Sequence, residues 1–109
     1  MDDERMVMIV TTADNRQFID GMVARLVEMR LVACAQVSGP VTSTYWWRGR
    51  IEETEEWVCT MKTRASLYAD VEAQIRADHP YEVPEIICLD IETALPEYYL
   101  WVMRETELK

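Results

Sequence analysis

Tyr45-Trp46-Trp47-Arg48-Gly49-Arg50-Ile51-Glu52 is the stretch that decides the fold of this chain. Gly49 is free to take the positive φ of a tight reversal, so Arg48-Gly49 reads as the turn of a hairpin. A two-residue turn sets Trp46 opposite Ile51 and Tyr45 opposite Glu52. Trp46 and Ile51 then share one face, and Tyr45, Trp47 and Glu52 the other. Upstream, residues 41–47 are extended and residues 32–37 form an apolar run of strand character. Ser38-Gly39-Pro40 interrupts them as a bulge or bend would. Downstream, residues 50–63 return as one long strand. Each arm of this hairpin is ~14 residues, on the order of 45 Å at ~3.3 Å per residue.

The flanking sequence supplies the rest of the sheet. Residues 6–12 are apolar and β-branched and read as a first strand. Asp14 is the expected N-cap of a helix in which Phe18, Ile19, Met22, Val23, Leu26 and Val27 recur at helical spacing, as far as about Arg30. Gly21 lowers its propensity without breaking the pattern. Leu67, Val71 and Ile75 mark one face of a second helix. It must end at His79, because a residue before proline is pushed out of the helical region, and the same rule acts on Val83 before Pro84. His79-Pro80-Tyr81-Glu82-Val83-Pro84 is therefore a rigid extended connector. Residues 85–91 are a fourth strand, apolar on both faces as a central strand is. Pro96 opens a last helix carrying Tyr99, Leu100 and Met103. The order is β-α-β-β-α-β plus a terminal helix. This is an α+β, ferredoxin-like split βαβ arrangement in one domain spanning residues 1–109.

Composition narrows the partners. Of 109 residues, 11 are basic and 20 acidic, for a net charge of −9, so the basic stripe that nucleic acid requires is missing. No apolar run approaches the roughly 20 residues of a membrane span. The acidic start Met1-Asp2-Asp3-Glu4-Arg5 does not read as a signal peptide, and the expected location is the cytoplasm. Cys34, Cys59 and Cys88 lie far apart among apolar or β-branched neighbours. They read as buried, reduced thiols rather than a zinc site.

The long hairpin has a consequence for assembly. Strands one and four are half its length, so they and two helices cover only half of it. The other half, with Tyr45, Trp46, Trp47 and Ile51, projects as an aromatic arm with unpaired edges, which needs a partner. Self-association is the simplest solution; the alternative is that the C-terminal helix folds over the rings.

Five blocks carry a family resemblance: Ala33-Cys34-Ala35-Gln36-Val37, Tyr45 to Glu52, Lys62-Thr63, His79-Pro80-Tyr81-Glu82-Val83-Pro84-Glu85-Ile86 and Tyr99-Leu100-Trp101. Together they resemble the divalent-cation tolerance protein CutA family along essentially the whole chain. The resemblance implies a ferredoxin-like fold, a tight homotrimer with joined edge strands, and a role in tolerance of divalent metals, copper above all. It also implies a likeness to PII-like signalling trimers, which hold small ligands in clefts between subunits. It brings no established reaction.

The site residues follow from chemistry and resemblance together. Copper favours imidazole and thiolate. In copper-binding members a strand-one cysteine and a second histidine before the His-Pro pair are implicated; Thr11 and Asp78 stand at those places here. His79 is thus the one candidate ligand for a divalent metal such as Cu2+. Lys62, His79, Tyr81 and Glu82 are candidates for a small-molecule cleft, or for acid–base chemistry as a third reading. Glu52, Glu53, Glu55 and Glu56 alternate along a strand, point to opposite faces and read as a solvated hairpin surface.

Overall fold

In the computed structural model, which describes residues 4–107, the chain forms the expected elements in the expected order. They are β1 (Met6–Ala13), α1 (Arg16–Glu28), β2 (Cys34–Trp47), β3 (Arg50–Arg64), α2 (Tyr68–Asp78), β4 (Ile86–Asp90) and α3 (Pro96–Glu105), with a short 3₁₀ turn at Ala65–Leu67 leading into α2. Every strand pair is antiparallel and the sheet order is β2-β3-β1-β4, which is the ferredoxin-like topology. Alternation in β1 turns Val7, Ile9 and Ala13 toward α1 and α2. There they meet Ile19, Met22 and Leu26 from α1, Val71 and Ile75 from α2, and Cys59 and Met61 from β3.

Local chemistry fixes the boundaries. The cap of α1 is Asn15, not Asp14: its side chain accepts the Phe18 N–H at 3.0 Å, while Asp14 stays exposed. β1 runs on to Ala13, so the helix starts one residue later than expected. Met29 follows the last residue of α1, and Arg30 takes a positive φ of 60°. α2 ends at Asp78, and His79 before Pro80 is extended at φ −64°, ψ 134°. Pro96 opens α3, but the fully buried residue of that helix is Val102, and Leu100 is exposed.

The hairpin register is the one the turn dictates, with Tyr45 opposite Glu52 and Trp46 opposite Ile51. Both turn residues have positive φ, 52° at Arg48 and 79° at Gly49, which matches the right-handed twist of the strands. The register shifts between Ser38 and Val41, where the bulge was expected. Gly39 sits there at φ 135°, and a Cβ on it would meet the Glu56 carbonyl oxygen at 3.0 Å and Trp57 at 3.1 Å.

β2 and β3 have 14 and 15 residues against 8 in β1 and 5 in β4. β1 pairs β3 only from Arg64 to Trp57, so residues 50–56 have β2 as their one strand neighbour. That stretch is an arm of roughly 20 Å, and the molecule is drawn out to 49 × 25 × 21 Å. α3 does not cover the arm. It crosses the other end of the sheet, on the face opposite α1 and α2, where Tyr98 meets Cys34 at 3.5 Å and Arg64 donates to the Met103 carbonyl.

Two expectations require correction. β4 is an edge strand beside β1 rather than a central one, with Ile87 and Leu89 exposed. Of the three thiols, all free, only Cys59 is fully buried; Cys34 is half-buried and Cys88 is exposed on β4. Burial pushes the Cys59 thiol up to about 11.

Candidate functional site

The connector 79–85 is where the expected site residues converge, because the two proline constraints carry it from the end of α2 along the root of the arm to β4. His79 anchors it. One ring nitrogen, Nε2, lies 2.9 Å from the Thr12 carbonyl oxygen, and Nδ1 lies 3.0 Å from the Tyr81 backbone N–H. The carbonyl requires a donor and the N–H an acceptor, so the ring is the neutral tautomer with its proton on Nε2. Phe18 and Tyr81 pack edge-on to the imidazole, with centroids at 5.0 and 4.9 Å. Both nitrogens are thus engaged within the chain. Thr11 is fully buried with its hydroxyl unpartnered, and Asp78 reaches back to Arg25 at 3.3 Å. Among the described residues no three His, Cys, Asp or Glu side chains converge as a metal cluster.

Tyr81 leads from the histidine to a carboxylate. Its hydroxyl donates to Glu56 Oε2 at 2.6 Å, and the Ser43 hydroxyl donates to Oε1 at 2.6 Å. Glu56 is only 6% exposed, which corrects its reading as solvated surface. Sequence gave no signal for it, since its partners are 13 and 25 residues away. Burial first, then the bond to Glu56, push the Tyr81 phenol well above its ordinary value and hold it protonated as a donor.

Strand alternation places Thr12, Glu56, Ser43, Tyr45 and Trp47 on one face, away from α1 and α2. Between that face and the connector lies a cavity of about 570 Å³, lined among others by Thr12, Tyr45, Trp47, Glu56, Tyr81, Glu82 and Glu85. At its rim Arg48 bonds Glu82 at 2.9 Å and lies over the Trp47 ring at 5.3 Å. The structure therefore brings His79, Tyr81 and Glu82 together at the root of the arm. Lys62 stands apart from them within one chain: it pairs with Cys34 near α3, bonds Gln36 at 2.7 Å, and is six positions along β3 from Glu56, roughly 20 Å.

The four aromatic-arm residues also divide. Tyr45 and Trp47 turn toward the cavity, and Tyr45 bonds Thr54 at 2.7 Å. Trp46 and Ile51 turn away and are 71% and 63% exposed.

A ferredoxin-like sheet with an overlong hairpin and a proline-framed cleft at its root defines a class of small α+β proteins. Residues 7–105 match the family model of the CutA1 divalent ion tolerance protein. The chain belongs to that family. It is 34% identical over 102 residues to the divalent-cation tolerance protein CutA of Pyrococcus horikoshii, covering 94% of this chain and 99% of that one. With mouse protein CutA it shares 38% over 96 residues, 88% of this chain, and spans 54% of the mouse protein's length. The structure of the periplasmic divalent cation tolerance protein CutA from Archaeoglobus fulgidus superposes with a TM-score of 0.90 at 32% identity, over 94% of this chain and 99% of the other. Among the described residues no helix is long and apolar enough to cross a membrane.

Proposed function

We propose that this chain is a self-assembling binding module of the response to divalent metal ions, that it acts without catalysis, and that its working site is the cleft at the root of the arm. The single observation that carries this reading is the engagement of both His79 nitrogens. A Cu2+ ion at His79 has to displace the Tyr81 N–H from Nδ1 or the Thr12 carbonyl from Nε2, and either exchange dismantles the connector. The same commitment speaks against His79 as an acid–base catalyst. What the histidine does instead is hold Tyr81 where its hydroxyl reaches Glu56. The small-molecule reading, in the manner of PII-like trimers, therefore takes precedence over a copper centre.

Assembly is the second half of the proposal. Trp46 and Ile51 on the arm, and Ile87 and Leu89 on the free edge of β4, form apolar surface that one chain leaves uncovered. A homotrimer in which edge strands join covers both. The cytoplasm is the assigned compartment, supported by three free thiols.

Calorimetric titration of Cu2+ into wild type and His79→Ala tests the site. Weak heats that are alike in both proteins are expected; tight binding lost with His79→Ala overturns the reading. Light scattering tests the assembly: a stable monomer near 12.8 kDa at micromolar concentration refutes it.

A further inference from the structure

We propose that the cleft at the root of the arm is a receptor for a small organic cation, one bearing a guanidinium or a primary ammonium on a short alkyl chain. The proposal rests on the cleft-binding reading above and names its ligand class.

Glu56 is the first ground. A buried carboxylate is ordinarily matched by a cation. Glu56 is nine-tenths buried, yet it receives only two neutral hydroxyls, from Ser43 and Tyr81, and among the described residues no Lys, Arg or His forms an ion pair with it. It lines a cavity of about 570 Å³ whose other charged lining residues are Glu82 and Glu85; no basic side chain lines it. Within one chain, then, no described cation meets the Glu56 carboxylate, and a cavity adjoins it.

The walls decide which cation. Tyr45, Trp47 and Tyr81 line the same cavity. Aromatic faces attract weakly hydrated organic cations, whereas a bare divalent ion needs several converging oxygen ligands. Glu56 already accepts a hydroxyl on each oxygen, and among the described residues no three His, Cys, Asp or Glu side chains, Glu82 and Glu85 of this cavity included, come together so as to hold a metal ion. The surface is thus arranged for a planar or tetrahedral nitrogen cation rather than a metal.

The chain itself supplies the third ground. The Arg48 guanidinium sits at the rim, stacked over Trp47 at 5.3 Å and bonded to Glu82 at 2.9 Å. One nitrogen cation is therefore already seated against this aromatic and carboxylate pair. Arg48 and Glu82 are both largely exposed, at 71% and 67%, so this latch is weak and exchangeable. A ligand with one cationic end at Glu56 and an alkyl chain along the rings competes with Arg48 at the rim.

Titration of agmatine into the full-length protein tests this, with 1,4-butanediol as the neutral control and glutarate as the anionic one. Agmatine is expected to bind and the two controls are not. Glu56→Gln is expected to weaken agmatine at least tenfold. Glu85→Gln, on an exposed position that leaves the buried network intact, is expected to weaken it about threefold and covers the case in which Glu56→Gln does not fold. Arg48→Ala is expected to tighten binding several-fold, because it removes the internal competitor. Equal binding of 1,4-butanediol, or agmatine affinity unchanged by both glutamate substitutions, overturns the proposal. Binding of glutarate alone overturns the cation while leaving the cleft reading standing; no binding of any of the three overturns the cation and removes support from the cleft as well.

Discussion

Between its base and its tip the β2–β3 hairpin passes from a shared sheet into solvent, and the two ends are built differently. At the base, Cys59 and Met61 of β3 are completely enclosed, with β1 on one side, β2 on the other and two helices above. At the tip, Trp46 and Ile51 oppose each other in perfect register and remain 71% and 63% exposed. The backbone geometry is equally regular at both ends. Hydrogen-bonded pairing therefore sets the shape of the arm, while burial, the larger source of stability, is supplied by this chain at the base and not at the tip. The cleft sits at the junction of these two regimes, where Glu56 is already enclosed but the surface beyond it is not.

Substitutions should separate the two ends, beginning with the largest effect. Trp46→Ala is expected to weaken assembly by roughly 3–5 kcal/mol, the cost of deleting a buried aromatic. Glu53→Ala on the same arm should stay within about 0.5 kcal/mol. Sedimentation across a concentration series measures both, and equal effects break the comparison. At the compact end, Ile75→Ala is expected to remove roughly 2–5 kcal/mol of folding stability, read from urea unfolding, because Ile75 is fully enclosed in the core.

A smaller effect follows from Cys59. Its folded value lies at about 11, above the ordinary 9.0, because burial disfavours the thiolate. The folded chain holds this proton more tightly than the unfolded chain. The contribution is fully present below about pH 9 and is lost as pH rises toward 11, amounting to about 1 kcal/mol at pH 10. Urea midpoints at pH 8 and pH 10 should show the loss in wild type, and Cys59→Ala should remove that part of it. The smallest change is Thr11→Val. The Thr11 hydroxyl is buried without a partner, so replacing it with a methyl group is expected to stabilise the fold by up to about 1 kcal/mol. A lower unfolding midpoint would show that the hydroxyl has a partner in solution.

What was legible in the sequence follows from the range of the interactions concerned. The turn, the register and the bulge are local: Gly49 fixes the loop length, the loop fixes which residues oppose, and Ser38-Gly39-Pro40 marks the bulge on its own. Proline neighbours likewise fixed the end of α2 and the course of the connector. The α1 cap fell one residue away because Asp14 and Asn15 are chemically alike as caps and only the length of β1 chooses between them. β4 was misjudged for a different reason. Its apolar run suggests burial on both faces, but composition does not say whose atoms do the burying, and within this chain Ile87 and Leu89 are left bare at an edge. Glu56 was missed altogether, since a strand of alternating glutamates looks solvated until Tyr81 is folded across it. The candidates at His79, Tyr81 and Glu82 lay on one proline-framed segment and therefore stayed together; Lys62 did not, because β3 is long enough to carry it to the other end of the sheet.

Gly39 makes the arm a lever. The bulge lies where β3 parts from β1, and a side chain added at Gly39 would begin only 3.0 Å from the Glu56 carbonyl oxygen. Any larger residue wedges the strands apart at the fulcrum, and a rotation of about 5° there sweeps the end of a roughly 20 Å arm through about 2 Å. In the proposed assembly such a sweep is enough to misalign one copy's tip from its neighbour's. The tip turn has no such neighbour: nothing lies within 4 Å of where a side chain on Gly49 would begin, and only its φ of 79° resists one. The aim of the arm is set at its root, and a one-methyl change there is amplified at a surface far from it, while the same change at the tip displaces nothing beyond the turn itself.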